Sequence, residues 1–400
     1  MTTTTVGARG RSRPRSRQLA AFGRPSAVYH LALGSGALLV LLGLIMVLSA
    51  SSVASYAASG SSFSVFEKQA LWFALGLPGF VLGLRLPTRY TRRLGYPLLI
   101  LTVVLLVAVL SPGIGRNVYG ARRWIAVGSW QIQPSELAKV ALVLAGADLL
   151  ARKYKRLGEV RHLLIPLVPF AALLAGLVML EPDMGTSTVL VVILLALLAV
   201  SGAPRRVFAW TFGGLATAFA MLAVVEPYRL ARLTSFADPF QSESAGGYQT
   251  VQGLYAIASG GWWGLGLGAS RAKWGYLPNQ YTDYIFAVIA EELGLLGGLV
   301  VIALFAVLGF AGFKIAQQAR EPFQQLVAAG ITAWIVGQAL INMCAVVGLL
   351  PVTGVPLPFV SFGGSSLIFT MFALGVLGAV GRENARADRG SRTAQRGRQR

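Results

Sequence analysis

The chain alternates long apolar runs with short polar connections rich in Arg, Gly and Pro. A helix that crosses a hydrocarbon core of about 30 Å needs about 20 residues. Ten stretches come near that length: 29–52, 68–86, 95–112, 134–151, 162–180, 184–203, 206–226, 284–312, 325–349 and 359–381. Most connections are too short for separate soluble domains, so the pattern predicts an all-α polytopic membrane protein, one compact bundle of about ten transmembrane helices. Residues 227–283 break the pattern. This stretch is Gly-rich, carries Trp262, Trp263 and Trp274 with several tyrosines, and shows no clean helical period. It reads as a large structured loop on one membrane face, between the seventh and eighth helices. The chain then divides into a basic tail (1–28), a membrane domain (29–381) and a second basic tail (382–400). Both tails are expected to be disordered arms drawn to anionic inner-leaflet membrane lipid.

Composition agrees with a membrane protein: 55% of residues are hydrophobic and 12% charged, against about a quarter charged in soluble domains. A net charge of +20 invites a nucleic-acid reading. That reading fails because the basic residues sit in short runs between apolar stretches rather than on a folded soluble face. Placing both termini and the connections after the second, fourth, sixth and eighth helices on one side collects 26 Lys and Arg there, against 8 on the other. Positive charge stays cytoplasmic, so both termini are expected in the cytoplasm and the 227–283 loop outside; an even number of spans agrees. Cys344 is the single cysteine and there are two histidines, which excludes an internal disulfide and a zinc constellation. The polar, Arg-rich start shows no cleavable signal peptide.

Charged groups within spans are costly and mark candidate function. The fourth span opens Gln133-Pro134-Ser135-Glu136-Leu137-Ala138-Lys139, where Pro134 suits a first turn and Glu136 and Lys139 share a face. A self-neutralising ion pair and a substrate-facing pair both fit. Asp148 reads as an interfacial residue with Arg152 as its neighbour. Asp283 stands at the outer mouth of the eighth span, followed by Glu291 and Glu292. On a continuous helix Asp283 and Glu291 would differ by about 80° and about 12 Å, which is poor for a two-carboxylate glycosidase pair. Asp283 is the better catalytic candidate, since a membrane-embedded substrate and outside water both reach that position; Glu291 and Glu292 fit bonds to neighbouring helices or a cavity wall. The turn Glu181-Pro182-Asp183-Met184-Gly185 puts two carboxylates at the outer face and reads, by itself, as a helix N-cap. Gly264-Leu265-Gly266-Leu267-Gly268 has no strand before it and fits tight turns and close backbone approach, not a dinucleotide site. Ser361 to Ser366 has no histidine base on its side of the membrane and fits helix-start hydrogen bonding.

Taken together these motifs resemble the SEDS family (shape, elongation, division and sporulation), polytopic peptidoglycan glycosyltransferases. The resemblance covers about 29 to 381 and is carried by Gly120-Ala121-Arg122-Arg123-Trp124-Ile125, the Gln133–Lys139 run, Glu181–Gly185, Tyr276-Leu277-Pro278 with Thr282–Gly294, and Pro351-Val352-Thr353-Gly354-Val355-Pro356-Leu357-Pro358-Phe359. Val47–Ser52, Asp238-Pro239-Phe240 and the Pro351–Pro356 wording are closer to the division branch than to the elongation branch. The resemblance implies polymerisation of lipid II at the outer face of the cytoplasmic membrane, at the division septum. It implies a class B penicillin-binding protein transpeptidase as partner, together with other division proteins. Asp283 matches the family's proposed catalytic aspartate. A carboxylate there can accept the proton of an attacking sugar hydroxyl, while cations such as Arg123, Lys139 and Lys273 serve a diphosphate leaving group. Glu136, Glu181, Asp183 and Glu291 complete the implied substrate-binding set, with room for a divalent cation (Mg or Mn) and no organic cofactor. The family's usual Pro-Glu-x-His-Thr-Asp reads here Pro278-Asn279-Gln280-Tyr281-Thr282-Asp283, so that Glu and His have no counterpart, and Phe362 replaces the usual tyrosine after Ser361. The rival readings are a lipid II flippase, an elongation-type polymerase and a non-catalytic division scaffold. A flippase needs polar groups along the whole membrane depth, whereas here they gather in the outer half.

Overall fold

The structure, a computed structural model, describes residues 24–118, 121–128, 130–154, 167–225, 236, 239–240 and 245–398. Eleven α-helices and one three-stranded sheet make up this part: α1 (Pro25–Ser59), α2 (Ser64–Arg85), α3 (Thr88–Leu110), β1 (Gly115–Val118), β2 (Ala121–Val127), β3 (Trp130–Ile132), α4 (Pro134–Arg152), α5 (Leu167–Leu180), α6 (Met184–Val200), α7 (Arg205–Val225), α8 (Ala245–Gly260), α9 (Ile285–Gln318), α10 (Pro322–Val346) and α11 (Gly364–Arg398). Five of them, α1, α3, α9, α10 and α11, are long and apolar enough to cross a membrane; α5 and α6 are apolar but shorter.

Local chemistry explains where the helices begin. Pro25, Pro134 and Pro322 occupy first-turn positions, where a missing N–H costs nothing. Asp183 caps α6 by accepting from the Thr186 N–H at 3.0 Å, as the turn's own sequence predicts. The centre of the bundle is α4, buried on every side from Pro134 to Leu150 and packed against α3, α5, α6, α10 and α11. That environment accounts for its almost continuous apolar sequence, and it makes the charges it does carry the costly ones.

Each of the ten apolar stretches contains a helix, but three expectations need correction. The loop after α7 is not without helical structure: α8 runs through its middle and packs on α9. The connection after α3 folds into an antiparallel sheet of order β1-β2-β3, so the chain is not wholly α-helical. Trp130 of β3 stacks edge-on against Trp72 of α2 with ring centroids 4.7 Å apart, and Gln133 N–H donates to Ser365 Oγ, which seats the sheet over α2 and α11. The second basic tail is not a disordered arm, because α11 continues through it to Arg398. The first tail up to Gly23, residues 155–166 with the start of the fifth apolar stretch, and Asp238 lie outside the described residues.

One long helix is broken. Within α9, Gly294 adopts φ 71° and ψ −171°, which interrupts the helical hydrogen bonds. The glycine-rich segment before it repairs the break. Leu265 and Gly266 donate their N–H groups to the carbonyls of Glu291 and Glu292 at 2.9 and 3.0 Å, and Leu295 donates to the Gly261 carbonyl at 2.9 Å. Backbone meets backbone here: a Cβ on Gly264 would strike the Glu292 carbonyl, and one on Gly294 the Gly264 N–H. The close approach expected of Gly264–Gly268 is therefore what these residues provide, and in an apolar setting each repaired group matters.

Candidate active site

Asp283 precedes α9 rather than lying on it. It sits in a turn over 279–284, in which Tyr284 N–H donates to the Asn279 carbonyl at 3.2 Å, and its side chain is half-buried. This placement replaces the continuous-helix spacing to Glu291 expected from sequence. The turn is clamped by main-chain contacts. Asn342 of α10 donates from Nδ2 to the Asp283 carbonyl at 2.7 Å and to the Val355 carbonyl at 2.8 Å. Ser361 donates to the Thr282 carbonyl at 2.6 Å while accepting from Leu357 N–H, and Phe362 N–H donates to the Tyr281 carbonyl. Ser361 is thus a positioning hydroxyl, as its lack of a nearby base suggested. Gly354, at φ 72°, lies against the Asp283 carboxylate: a Cβ there would stand 3.6 Å from Oδ2. The Pro-rich 351–362 segment and α10 together fix where that carboxylate stands.

The pair on α4 is closed, not open. Lys139 Nζ donates to Glu136 Oε1 at 2.8 Å and to Gln338 Oε1 at 2.9 Å, lies 5.1 Å from the Trp334 ring, and is 1% exposed. Gln338 in turn donates to the Pro356 carbonyl at 2.9 Å. Gln338 and Asn342 are one helical turn apart on α10, so one face of that helix ties the Glu136–Lys139 pair to the segment that carries the Asp283 turn. Neither amide stood out in the sequence; the available signal was two polar residues four apart within an otherwise apolar span.

Glu181 and Asp183 differ from each other. Both Asp183 oxygens are engaged, by Thr186 and by Gln133 Nε2 at 3.0 Å. Glu181 is fully buried and neither of its carboxylate oxygens has a partner among the described residues. Arg123 of β2 does not pair with it: its guanidinium donates to the main-chain carbonyls of Glu181, at 3.0 Å, and Pro182. Burial, reinforced by the Asp183 charge and only partly offset by Arg123, raises the Glu181 carboxyl to about 9.

Lys273 and Glu291 form a further group. Glu291 accepts from Ser270 Oγ and from the N–H groups of Arg271 and Ala272, while Glu292 accepts from Ser49 Oγ of α1 at 2.7 Å and from Ser270 N–H. These are the bonds to neighbouring elements expected of both acids, although Glu292 reaches the same 270–272 segment as Glu291. Lys273 is buried and donates to the Gly268 carbonyl. The cations expected to meet a diphosphate, Arg123, Lys139 and Lys273, each already hold a protein acceptor. Among the described residues no three His, Cys, Asp or Glu side chains converge, so the donor set offers no all-protein cage for a divalent cation.

A family profile described as cell cycle protein, covering FtsW, RodA and SpoVE, matches residues 29–386. The chain belongs to the FtsW/RodA/SpoVE family. The probable peptidoglycan glycosyltransferase FtsW of Mycobacterium tuberculosis is 44% identical over 378 residues, covering 94% of this chain and 72% of that protein. Stage V sporulation protein E of Bacillus subtilis is 40% identical over 344 residues, covering 85% and 93%. Among solved structures, a chain from a peptidoglycan synthase complex that coordinates polymerization and crosslinking superposes with a TM-score of 0.73 at 28% identity, covering 88% of this chain and 97% of the other. The rod shape determining protein RodA of Thermus thermophilus gives 0.65 at 27% identity, covering 89% and 97%. The residues matched by the family profile, 29–386, include every element that builds the Asp283 turn.

Proposed function

We propose that this chain is a division-type peptidoglycan glycosyltransferase that polymerises lipid II at the outer face of the cytoplasmic membrane. Ten helices cross the membrane in this reading, both termini are cytoplasmic, and the 227–283 loop lies outside. Asp283 carries the reading: a half-buried residue at the mouth of α9, its main chain held by Asn342 and its carboxylate beside Gly354. In the reaction, a sugar hydroxyl of the acceptor attacks the anomeric carbon of the donor. The new glycosidic bond forms as the bond to undecaprenyl diphosphate breaks, the hydroxyl proton passes to Asp283, and configuration inverts. No step is assigned to a metal ion. Lys139 and Arg123 act on this site through what they hold, Gln338 with the 355–356 segment and the 181–182 turn respectively, and Lys273 and Glu291 through the 268–272 segment. The likeness to a chain of a synthase complex supports a class B penicillin-binding protein as partner.

The test is glycan chain formation from purified lipid II by the full chain bound to its cognate penicillin-binding protein, with the transpeptidase serine of the partner inactivated. Polymer is the expected product. Translocation of lipid II without polymer would instead establish the flippase reading.

A further inference from the structure

The end of the bundle opposite Asp283 carries a second polar construction. There α3 and α10 begin and α4 ends, and a cavity of about 480 Å³ opens among Arg89, Arg92, Arg93 and Arg152, with Glu321 the single acid on its wall. Behind it lies Asp148, fully buried, which accepts from Nε of Arg92 through one oxygen and from Nε of Arg152 at 2.7 Å through the other. A guanidinium tethered at Nε is oriented but keeps its terminal N–H groups, and among the described residues no protein acceptor meets those of Arg92 or Arg152. Phe323 and Tyr96 support the two planes, at 5.6 and 5.8 Å. Arg89 and Arg93 are exposed, flank Tyr90 and have no ion pair among the described residues. The first turn of α3 is itself fixed, since Thr88 donates its hydroxyl to Glu383 of α11 at 2.9 Å. Four guanidinium groups thus line one cavity whose wall carries one carboxylate, Glu321, while Asp148 and Glu383 just behind the wall are already engaged by Arg92, Arg152, Thr88 and Gln324. A buried acid that holds two arginines in place is a costly arrangement unless the cations it aims have something to bind.

Two observations point to an amphiphile as the occupant. Beyond the arginines the outer face of α3 is apolar and exposed at Leu94, Ile100, Leu101, Val104 and Val107. Tyr96, on the cavity wall, is also shared with a narrow apolar crevice between α3, α4 and α5 lined by Leu99, Leu149 and Phe170. A cationic mouth that leads into an apolar crevice suits a phosphate with an attached acyl chain; a free phosphate uses only the first half.

We propose that this cavity binds the phosphate of an anionic phospholipid, met by Arg92 and Arg152, the pair held by Asp148, together with the exposed Arg89 and Arg93. The site is independent of the glycosyl-transfer reading. The test is native mass spectrometry of the full chain in detergent doped with phosphatidylglycerol or, separately, phosphatidylcholine of the same chain length. Wild type retains phosphatidylglycerol in preference. Arg89→Gln with Arg93→Gln, which leaves both Asp148 ion pairs intact, weakens that retention roughly 10- to 30-fold, at about one Arg-to-anionic-lipid increment each. Arg89→Lys with Arg93→Lys keeps most of it. Inorganic phosphate at millimolar concentration does not displace the lipid. Equal retention of the two lipids by wild type, equal phosphatidylglycerol retention by wild type and the Gln pair, or displacement by inorganic phosphate would each overturn the assignment.

Discussion

Glu291 and Glu181 are buried carboxylates at the same end of one bundle, and the protein treats them in opposite ways. Glu291 accepts from a hydroxyl and two backbone N–H groups of the 270–272 segment. Glu181 accepts from nothing among the described residues, and the nearest cation, Arg123, is spent on main-chain carbonyls. A buried carboxylate met by several donors recovers in those bonds what its burial costs. One with none avoids the cost of a buried charge by keeping its proton. The lesson is that burial alone does not say what an acid does: Glu291 fastens a loop to a broken helix, whereas Glu181 is an unpartnered acid among the described residues that burial holds protonated.

The largest effect follows from removing the satisfied acid. Glu291→Ala strands the Ser270 hydroxyl and the N–H groups of Arg271 and Ala272, each worth about 1–3 kcal/mol, so thermal unfolding in detergent should show a loss on the order of 3–9 kcal/mol. Little loss would mean that the 261–272 segment holds without it. The ion pair on α4 comes next. Lys139→Met leaves Glu136 buried and unpaired at a cost of about 3–5 kcal/mol, and Lys139→Met with Glu136→Gln should recover most of it. Exchanging the two charges keeps a pair but takes the cation from Gln338 and Trp334; polymerisation unaffected by that exchange would make the pair purely structural.

Glu181→Gln should produce the smallest change near neutral pH, and it sharpens the contrast most cleanly. With its carboxyl raised to about 9 in the fold, Glu181 keeps a proton that the unfolded chain has already released. Stability therefore falls as pH rises from the ordinary carboxylate range toward about 9, and is level on either side of that window. Glu181→Gln carries no such proton, so its stability profile should lack this descent and the variant should be no less stable at pH 7. An identical pH profile for the two proteins would mean that Glu181 is ionised in the fold.

Much of this was legible in the sequence because its signals are long or paired. Uninterrupted apolar runs give the helices, Glu136 and Lys139 declare their contact by spacing, Asp183 its cap, and Asp283 its place at a helix mouth. The sheet was hidden because β1 and β3 are only 4 and 3 residues long and the longer β2, Ala-Arg-Arg-Trp-Ile-Ala-Val, does not alternate apolar with polar. Helix α8 was hidden because Gly246, Gly247, Gly253 and Gly260 lower its helix propensity, so its packing on α9 decides its conformation. The break at Gly294 was hidden among glycines that a membrane helix tolerates. The clamp on Asp283 is made largely through carbonyl oxygens, which every residue possesses, so no side-chain pattern could announce it. Asp148 shows the same limit: Arg152 was legible as its i,i+4 partner, but Arg92 comes from another helix.

The most direct measurement is lipid II polymerisation by wild type and Asp283→Asn, each bound to the same penicillin-binding protein. Asparagine keeps the size and polarity of the side chain and leaves the carbonyl that Asn342 holds, so the complex should copurify and unfold as wild type does. General-base contributions are about 10²- to 10⁴-fold in rate, and glycan chain formation should fall by that factor, close to background. Polymerisation at the wild-type rate by Asp283→Asn would contradict the account and remove this carboxylate from the chemistry.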